Sequence, residues 1–254
     1  MAFHGDVALI TGAGRGMGAL AARRLAHSGA RVAAVDRDTD GLTKLAAENE
    51  YVHAYECDVT DRAAVDALVK RIESDLGPVD RIVNAAGILR TGSVVAMPTD
   101  EFHMVMSVNY GGTVNVVKST LPGMIERGRG DVVNFASLAG WIPAHGISAY
   151  SASKHAVVAF TEVLAHEQRD SGLRICCVCP PTVDTPMLGD IGPENRSLRH
   201  QRPVGPEVVI EAVETSLEND DLFCFPGRGT KALHRARRWT PGLIWKSAHR
   251  AQDA

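Results

Sequence analysis

The chain has 254 residues, 45% of them hydrophobic and 22% charged, enough to bury one large α/β core. A net charge of −3 gives no general reason to expect a nucleic-acid partner. The longest stretch free of Asp, Glu, Lys and Arg, residues 132–153, holds too much Asn, Gly, Pro, His and Ser to span a bilayer. In chain order, short apolar runs predict strands over residues 7–10, 31–35, 51–57, 81–83, 132–135 and 173–178. Helical spacing predicts helices between them over 17–27, 42–48, 63–75, 101–106, 113–126 and 151–168. Strands of unbroken apolar character alternating with helices imply a doubly wound parallel sheet covered on both faces, in a single domain.

Residues 182–206 carry Pro186, Gly189, Gly192, Pro193, Pro203 and Gly205, which interrupt any long helix and suggest a flap over a site. The domain is expected to occupy 1–227, with a basic, aromatic tail over 228–254. That tail holds seven Lys or Arg against one acid, a formal +6 that leaves −9 on the rest of the chain. Cations mixed with Leu233, Trp239, Leu243, Ile244 and Trp245 over 231–250 suit peripheral contact with an anionic membrane, a subunit contact or a cover for a pocket. Five cysteines, an odd number, with no secretory leader ahead of them point to a reducing cytoplasm. Cys176, Cys177 and Cys179 alternate across a strand and complete no ligand set, so no metal is expected.

Directly after the first strand come Gly12, Arg15, Gly16, Met17 and Gly18. Glycines at this spacing permit a tight turn, close approach of backbone to a pyrophosphate and snug helix packing, while the helix start offers free N–H groups. Asp36 follows the second strand, about twenty residues beyond the turn, where a carboxylate can accept hydrogen bonds from an adenosine ribose and repel a 2′-phosphate. NAD is therefore expected over NADP, although Arg15 and Arg37 could each pair with a phosphate.

Farther along, Tyr150 and Lys154 stand four residues apart, one helical turn, with Ser137 upstream. A Tyr-x-x-x-Lys alone is often an ordinary exposed helix pair. Here it joins Thr11-Gly-x-x-x-Gly-x-Gly, Cys57-Asp58-Val59, Asn84-Ala85-Ala86-Gly87, Asn109, Ser137 and Pro180-x-x-Val183-x-Thr185 in one order. In that ordered set the chain resembles the short-chain dehydrogenase/reductase family over nearly its whole length. The resemblance implies a seven-stranded Rossmann sheet, nicotinamide chemistry and a homo-tetramer. It implies that Asp58 and Val59 hold the adenine, that Asn84, with Ala85 and Gly87 beside it, lines the adenosine ribose, and that Pro180, Val183 and Thr185 flank the carboxamide. Lys154 would grip the nicotinamide ribose. Pro181 departs from the family's usual Gly and removes an N–H beside the nicotinamide.

Tyr150 is the expected proton carrier, its pKa lowered by Lys154 and a charged nicotinamide. Ser137 is expected to hold the substrate oxygen. Asn109 is expected to hold a water that relays protons from Lys154, or else to cap or kink its helix. Trp141, Met187 and Leu188 suggest a pocket for a lipophilic secondary alcohol or ketone, steroid-, terpenoid- or acyl-chain-like, while His145 is either a substrate contact or a surface loop residue. The expected activity is that of an NAD-dependent dehydrogenase. An NADPH-dependent ketone or 3-oxoacyl reductase and a non-catalytic NAD-binding sensor are the alternatives.

Overall fold

In the computed structural model, which describes residues 3–191 and 202–253, every strand of the main sheet runs parallel to its neighbours. The strands are β1 (Val7–Thr11), β2 (Arg31–Asp36), β3 (Val52–Glu56), β4 (Arg81–Asn84), β5 (Gly130–Phe135), β6 (Leu173–Val178) and β7 (Phe223–Cys224), in the order β3-β2-β1-β4-β5-β6-β7. The order reverses between β1 and β4, which opens a crevice at the carboxyl ends of the strands. This is the doubly wound Rossmann sheet that the alternating pattern predicts.

The sheet is buried on both sides because successive strand residues point to opposite faces. Ala8, Ile10, Val32, Ala34, Val83, Val133, Cys176 and Val178 pack on one face beneath α1 (Gly16–His27), α2 (Thr39–Glu48) and α7 (Pro206–Glu218). Val7, Leu9, Ala33, Val35, Ile82 and Val132 pack on the other beneath α3 (Arg62–Leu76), α5 (Gly112–Arg127) and α6 (Ser148–Glu167). The cysteines follow the same alternation, Cys176 on the first face and Cys177 and Cys179 on the second, and all five are buried and free.

Local chemistry sets where helices begin. Asp38 accepts the Gly41 N–H at 3.0 Å and starts α2 at Thr39, three residues before the expected start; Asp61 accepts the Ala64 N–H at 3.0 Å and starts α3. Helix α4 (Thr99–Met106) runs through a π-helical turn, Ser107–Gly111, straight into α5, where separate helices were expected. The amino end of the sheet is tied by buried ion pairs: Arg81 Nη2 lies 2.8 Å from Asp131 Oδ2 and Nη1 2.7 Å from Glu214 Oε1, and Arg174 joins the same Asp131 at 2.8 Å. Beyond β7 the tail forms α8 (Thr230–Trp239) and α9 (Pro241–Asp253). Of the expected flap over 182–206, residues 192–201 lie outside the described residues. Among the described residues no helix is long and apolar enough to cross a membrane.

Candidate active site

At the carboxyl end of β1 the backbone turns through Gly12 (φ +69°) and Gly16 (φ +60°), a conformation glycine adopts without strain. A Cβ on Gly18 would stand 2.2 Å from the Gly12 carbonyl oxygen, and one on Gly12 would stand 2.7 Å from the Ala86 nitrogen. The turn is thus pressed against both α1 and the loop after β4, and Thr11 Oγ1 accepts the Ala86 N–H at 3.2 Å. Helix α1 begins without a side-chain cap and without an acid in its first turn. Its free N–H groups and positive dipole end therefore fit the pyrophosphate of a dinucleotide. Arg15 is exposed at the mouth of this turn, and Met17 packs against the core beneath it.

Asp36 locks the turn to β2. Its Oδ2 accepts the Gly14 N–H at 2.9 Å, while Oδ1 accepts the Arg37 and Asp38 N–H groups at 2.7 and 3.0 Å. Arg37 reaches away from Asp36 to Asp58, 3.1 Å from its Oδ2. Burial pushes the Asp58 carboxyl up, but the Thr60 backbone and hydroxyl together with Arg37 pull it below its ordinary value. Val59 fills the space over Gly112, where a Cβ would come within 2.5 Å of Val59 Cγ2. Asn84 donates to Asn134 Oδ1 at 2.8 Å in the buried layer between β4 and β5. Ala85 follows in the loop, and a Cβ on Gly87 would stand 3.2 Å from Asn109 Oδ1 and 3.7 Å from Lys154 Nζ.

Helix α6 carries Tyr150 and Lys154 on one face, as the four-residue spacing requires. Lys154 is 5% exposed; its Nζ donates to the Phe135 carbonyl at 2.6 Å and lies 5.7 Å from the centre of the Tyr150 ring. Burial lowers the Lys154 amine to about 8, partly opposed by the sulfurs of Cys177 and Cys179. Tyr150 is half-buried, and loss of water raises its phenol above the usual value, with a hydrogen bond from Ser137 pulling it back only in part. At Tyr150 the loss of water outweighs the Ser137 hydrogen bond, so the remaining lowering expected of the phenol falls to the charge of a bound nicotinamide.

Ser137 leaves β5 in extended backbone, and its Oγ accepts the Ala139 N–H at 3.1 Å. Asn109 sits fully buried in the π-turn. Its amide donates to the Ile88 carbonyl at 3.0 Å and to Ser153 Oγ at 2.9 Å, while its Oδ1 accepts the Ile88 N–H at 2.8 Å. Both amide protons are committed, so the side chain clamps the loop after β4 to α6. Ser153, which the sequence reading passed over, completes the clamp by donating to the Tyr150 carbonyl at 2.8 Å.

Around Tyr150 lie Leu89, Ile147 and Ile191, with Met187, Leu188, Ala139 and Ala144 packed against them. Met187 and Leu188 belong to a 3-10 turn, Pro186–Asp190, that follows Thr185. The Thr185 side chain lies 3.8 Å from where a Cβ of Gly16 would stand, so this segment touches the glycine turn. Pro180 accepts the Leu138 N–H at 2.8 Å, and Val183 is buried in a bridge to Val204.

Trp141 is not brought to this cluster. Its Nε1–H points to Cys179 Sγ at 3.3 Å, and its ring packs edge-on against Phe223 and His234. His145 meets the tail: its Nε2 is 3.1 Å from His249 Nδ1, and its ring lies 5.2 Å from that of Trp245. Nothing in the local sequence around 141 or 145 signals these partners, which come from distant parts of the chain.

A family model described as short chain dehydrogenase matches residues 6–196. The chain belongs to this family of oxidoreductases, and with it to the enzymes that act on CH–OH groups. Over 188 residues it is 38% identical to 2,3-dihydro-2,3-dihydroxybenzoate dehydrogenase of Bacillus subtilis, covering 72% of each chain. A short chain dehydrogenase/reductase from Burkholderia phymatum in complex with NAD superimposes with a TM-score of 0.86 at 27% identity, covering 96% of both chains. A point variant of actinorhodin polyketide ketoreductase with NADPH gives 0.81 at 30% identity, covering 89% of this chain and 97% of that one.

Proposed function

We propose that the protein is an NAD-dependent dehydrogenase for a lipophilic secondary alcohol, reversible toward the ketone. The observation that supports this is the apolar cluster of Leu89, Ile147 and Ile191, against which Met187, Leu188 and Tyr150 pack, with Tyr150 one hydrogen bond from Ser137. A polar substrate would leave its own groups unpaired against such walls.

A bound nicotinamide supplies the hydride acceptor and, when oxidised, a positive charge near Tyr150. Tyr150 takes the alcohol proton at its phenolic oxygen and returns it in the reverse direction. Ser137 donates to the same substrate oxygen and fixes it in line. Lys154, protonated below about pH 8, stabilises the phenolate, while its bond to Phe135 holds the amine at the site. Asn109 keeps the loop carrying Gly87 against α6. Asp58 and Val59 at the end of β3, Pro180, Val183 and Thr185 after β6, and the turn of Gly12, Arg15, Gly16, Met17 and Gly18 form the remaining cofactor contacts.

Asp36 supports NAD, since its carboxylate occupies the end of β2 and repels a second phosphate. The pairing of Arg37 with Asp58 draws one of the two candidate phosphate ligands away. Exposed Arg15 and the NADPH-bound ketoreductase likeness favour the second reading, an NADPH-dependent ketone reductase. Initial rates on a panel of polar and lipophilic secondary alcohols and ketones, each with both cofactors, decide between them. NAD-linked oxidation of the lipophilic members is expected; turnover only with NADPH, or only on polar substrates, rejects the primary assignment. Asp36→Ala is expected to shift selectivity toward NADP about tenfold or more, the scale of one charge-assisted contact. A homo-tetramer in a cytoplasmic setting is part of the same assignment, and light scattering checks the subunit number.

A further inference from the structure

The C-terminal helices α8 and α9 each have one side turned to the body of the protein and one turned away. In α8 the inward stripe is Thr230, His234 and Arg237: Thr230 is buried and donates to the Pro226 carbonyl at 2.7 Å, and the His234 ring stacks on Phe225 and meets Trp141 edge-on. In α9 the inward pair is Trp245 and His249, both against His145. These contacts fix which sides remain outside.

On α8 the outer ridge is Lys231, Arg235 and Trp239, four residues apart and therefore aligned along one side of the helix. On α9 it is Leu243, Lys246 and Arg250. All six side chains are exposed, Trp239 at 81% and Leu243 at 65%. An indole left this open to water is unusual for a core-forming residue, and cations that alternate with it make no ion pair among the described residues. The charge is sharply sorted along the chain: from Arg228 onward the formal charge is +6, against −9 for the rest.

We propose that the outer face of the α8–α9 pair docks the protein on an anionic lipid surface. Lys231, Arg235, Lys246 and Arg250 would face lipid phosphates, and the rings and chains of Trp239 and Leu243 would enter the boundary between headgroups and acyl chains. The acidic body is repelled by the same surface, so the charge sorting orients the molecule with its tail toward the lipid. A partner protein could also cover two apolar residues, but the excess of unpaired cations fits a continuous sheet of phosphates better. The inward sides of α8 and α9 rest on Trp141 and His145, so the helix pair itself lies against the loop between Ser137 and Tyr150. Docking does not depend on the catalytic assignment, and its test reads binding alone.

The test is sedimentation of the full chain with vesicles of phosphatidylcholine, with and without phosphatidylglycerol. Binding is expected only with phosphatidylglycerol, and it should be lost near 1 M salt, where the screening length is about 3 Å. Lys246→Gln should lower partitioning about fivefold, the factor per basic residue near such a surface, and the fourfold Gln replacement of Lys231, Arg235, Lys246 and Arg250 should abolish it. Trp239→Ser with Leu243→Ser should weaken binding at least tenfold while dehydrogenase activity in solution is unchanged. Absence of binding to anionic vesicles, equal binding to both vesicle types, or binding unaffected by the fourfold replacement overturns the proposal. A fall in oligomeric mass in the Trp239→Ser, Leu243→Ser chain without vesicle binding by the native chain overturns it in favour of a second copy as the occupant.

Discussion

The two halves of the crevice are built from different materials. On the β1–β2 side the surface is backbone: glycines with no room for a Cβ, an uncapped helix start, and a carboxylate whose oxygens are held by three main-chain N–H groups. On the β5–β6 side it is side chains drawn from separated segments, with Leu89, Ile147 and Ile191 meeting around Tyr150 and the tail resting on His145. A backbone surface accepts one shape of ligand and tolerates little change. A side-chain surface can be re-lined residue by residue.

The strongest way to break this contrast is Tyr150→Phe. It should lower kcat about a thousandfold while cofactor affinity, read by fluorescence titration, stays within about threefold. A parallel loss of cofactor binding would mean that the two halves are not separable. Gly18→Ala comes next: with 2.2 Å between the added Cβ and the Gly12 oxygen the turn must move, and cofactor affinity should fall about a hundredfold while the substrate pocket keeps its preference among alcohols.

Lys154→Met tests the link between the halves through stability. The buried amine titrates at about 8 against an ordinary 10.5, so between these values the unfolded chain holds the extra proton and native stability rises with pH. Below about pH 8 both states are charged and the cost of burying the cation is whole. Urea melts should show Lys154→Met more stable than the native chain by roughly 1 to 3 kcal/mol at pH 7, with the gap narrowing between pH 8 and 10.5, although the variant is inactive. A gap independent of pH would remove the buried-cation explanation. The smallest effect is expected for Met187→Ala, about a tenfold rise in KM for a lipophilic alcohol with cofactor affinity unchanged.

The same contrast explains what was readable in advance. The glycine turn, Asp36 and the Tyr150–Lys154 pair depend on spacing within one turn or one strand–helix unit, and their placement follows from local geometry. Strand β6 falls on the predicted residues, and the other predicted strands fall within two residues of their ends. Strand β7 was missed because two residues carry no periodicity, and its pairing depends on Cys177 and Val178. Asn84 lies at the end of β4, and its amide partner Asn134 is supplied by the neighbouring strand. Trp141 and His145 sit in the loop between Ser137 and Tyr150, yet their neighbours are Cys179, His234 and His249. No local pattern encodes such meetings. The lowering of the Tyr150 pKa was inferred from a cation one turn away, whereas its value in the chain depends on how much water the surrounding apolar residues remove.

The π-turn at Ser107–Gly111 sets the phase of a helix that otherwise runs unbroken from Thr99 to Arg127. Upstream of Gly112, Asn109 has to face Ile88 and Ser153; at position 112, only a residue without a side chain fits beneath Val59. Removing one residue from the turn would rotate everything after it by about 100° and carry Thr113 toward Val59. The length of this segment is therefore as constrained as its composition: a deletion here would break either the hold of Asn109 on Ile88 and Ser153 or the fit of position 112 beneath Val59.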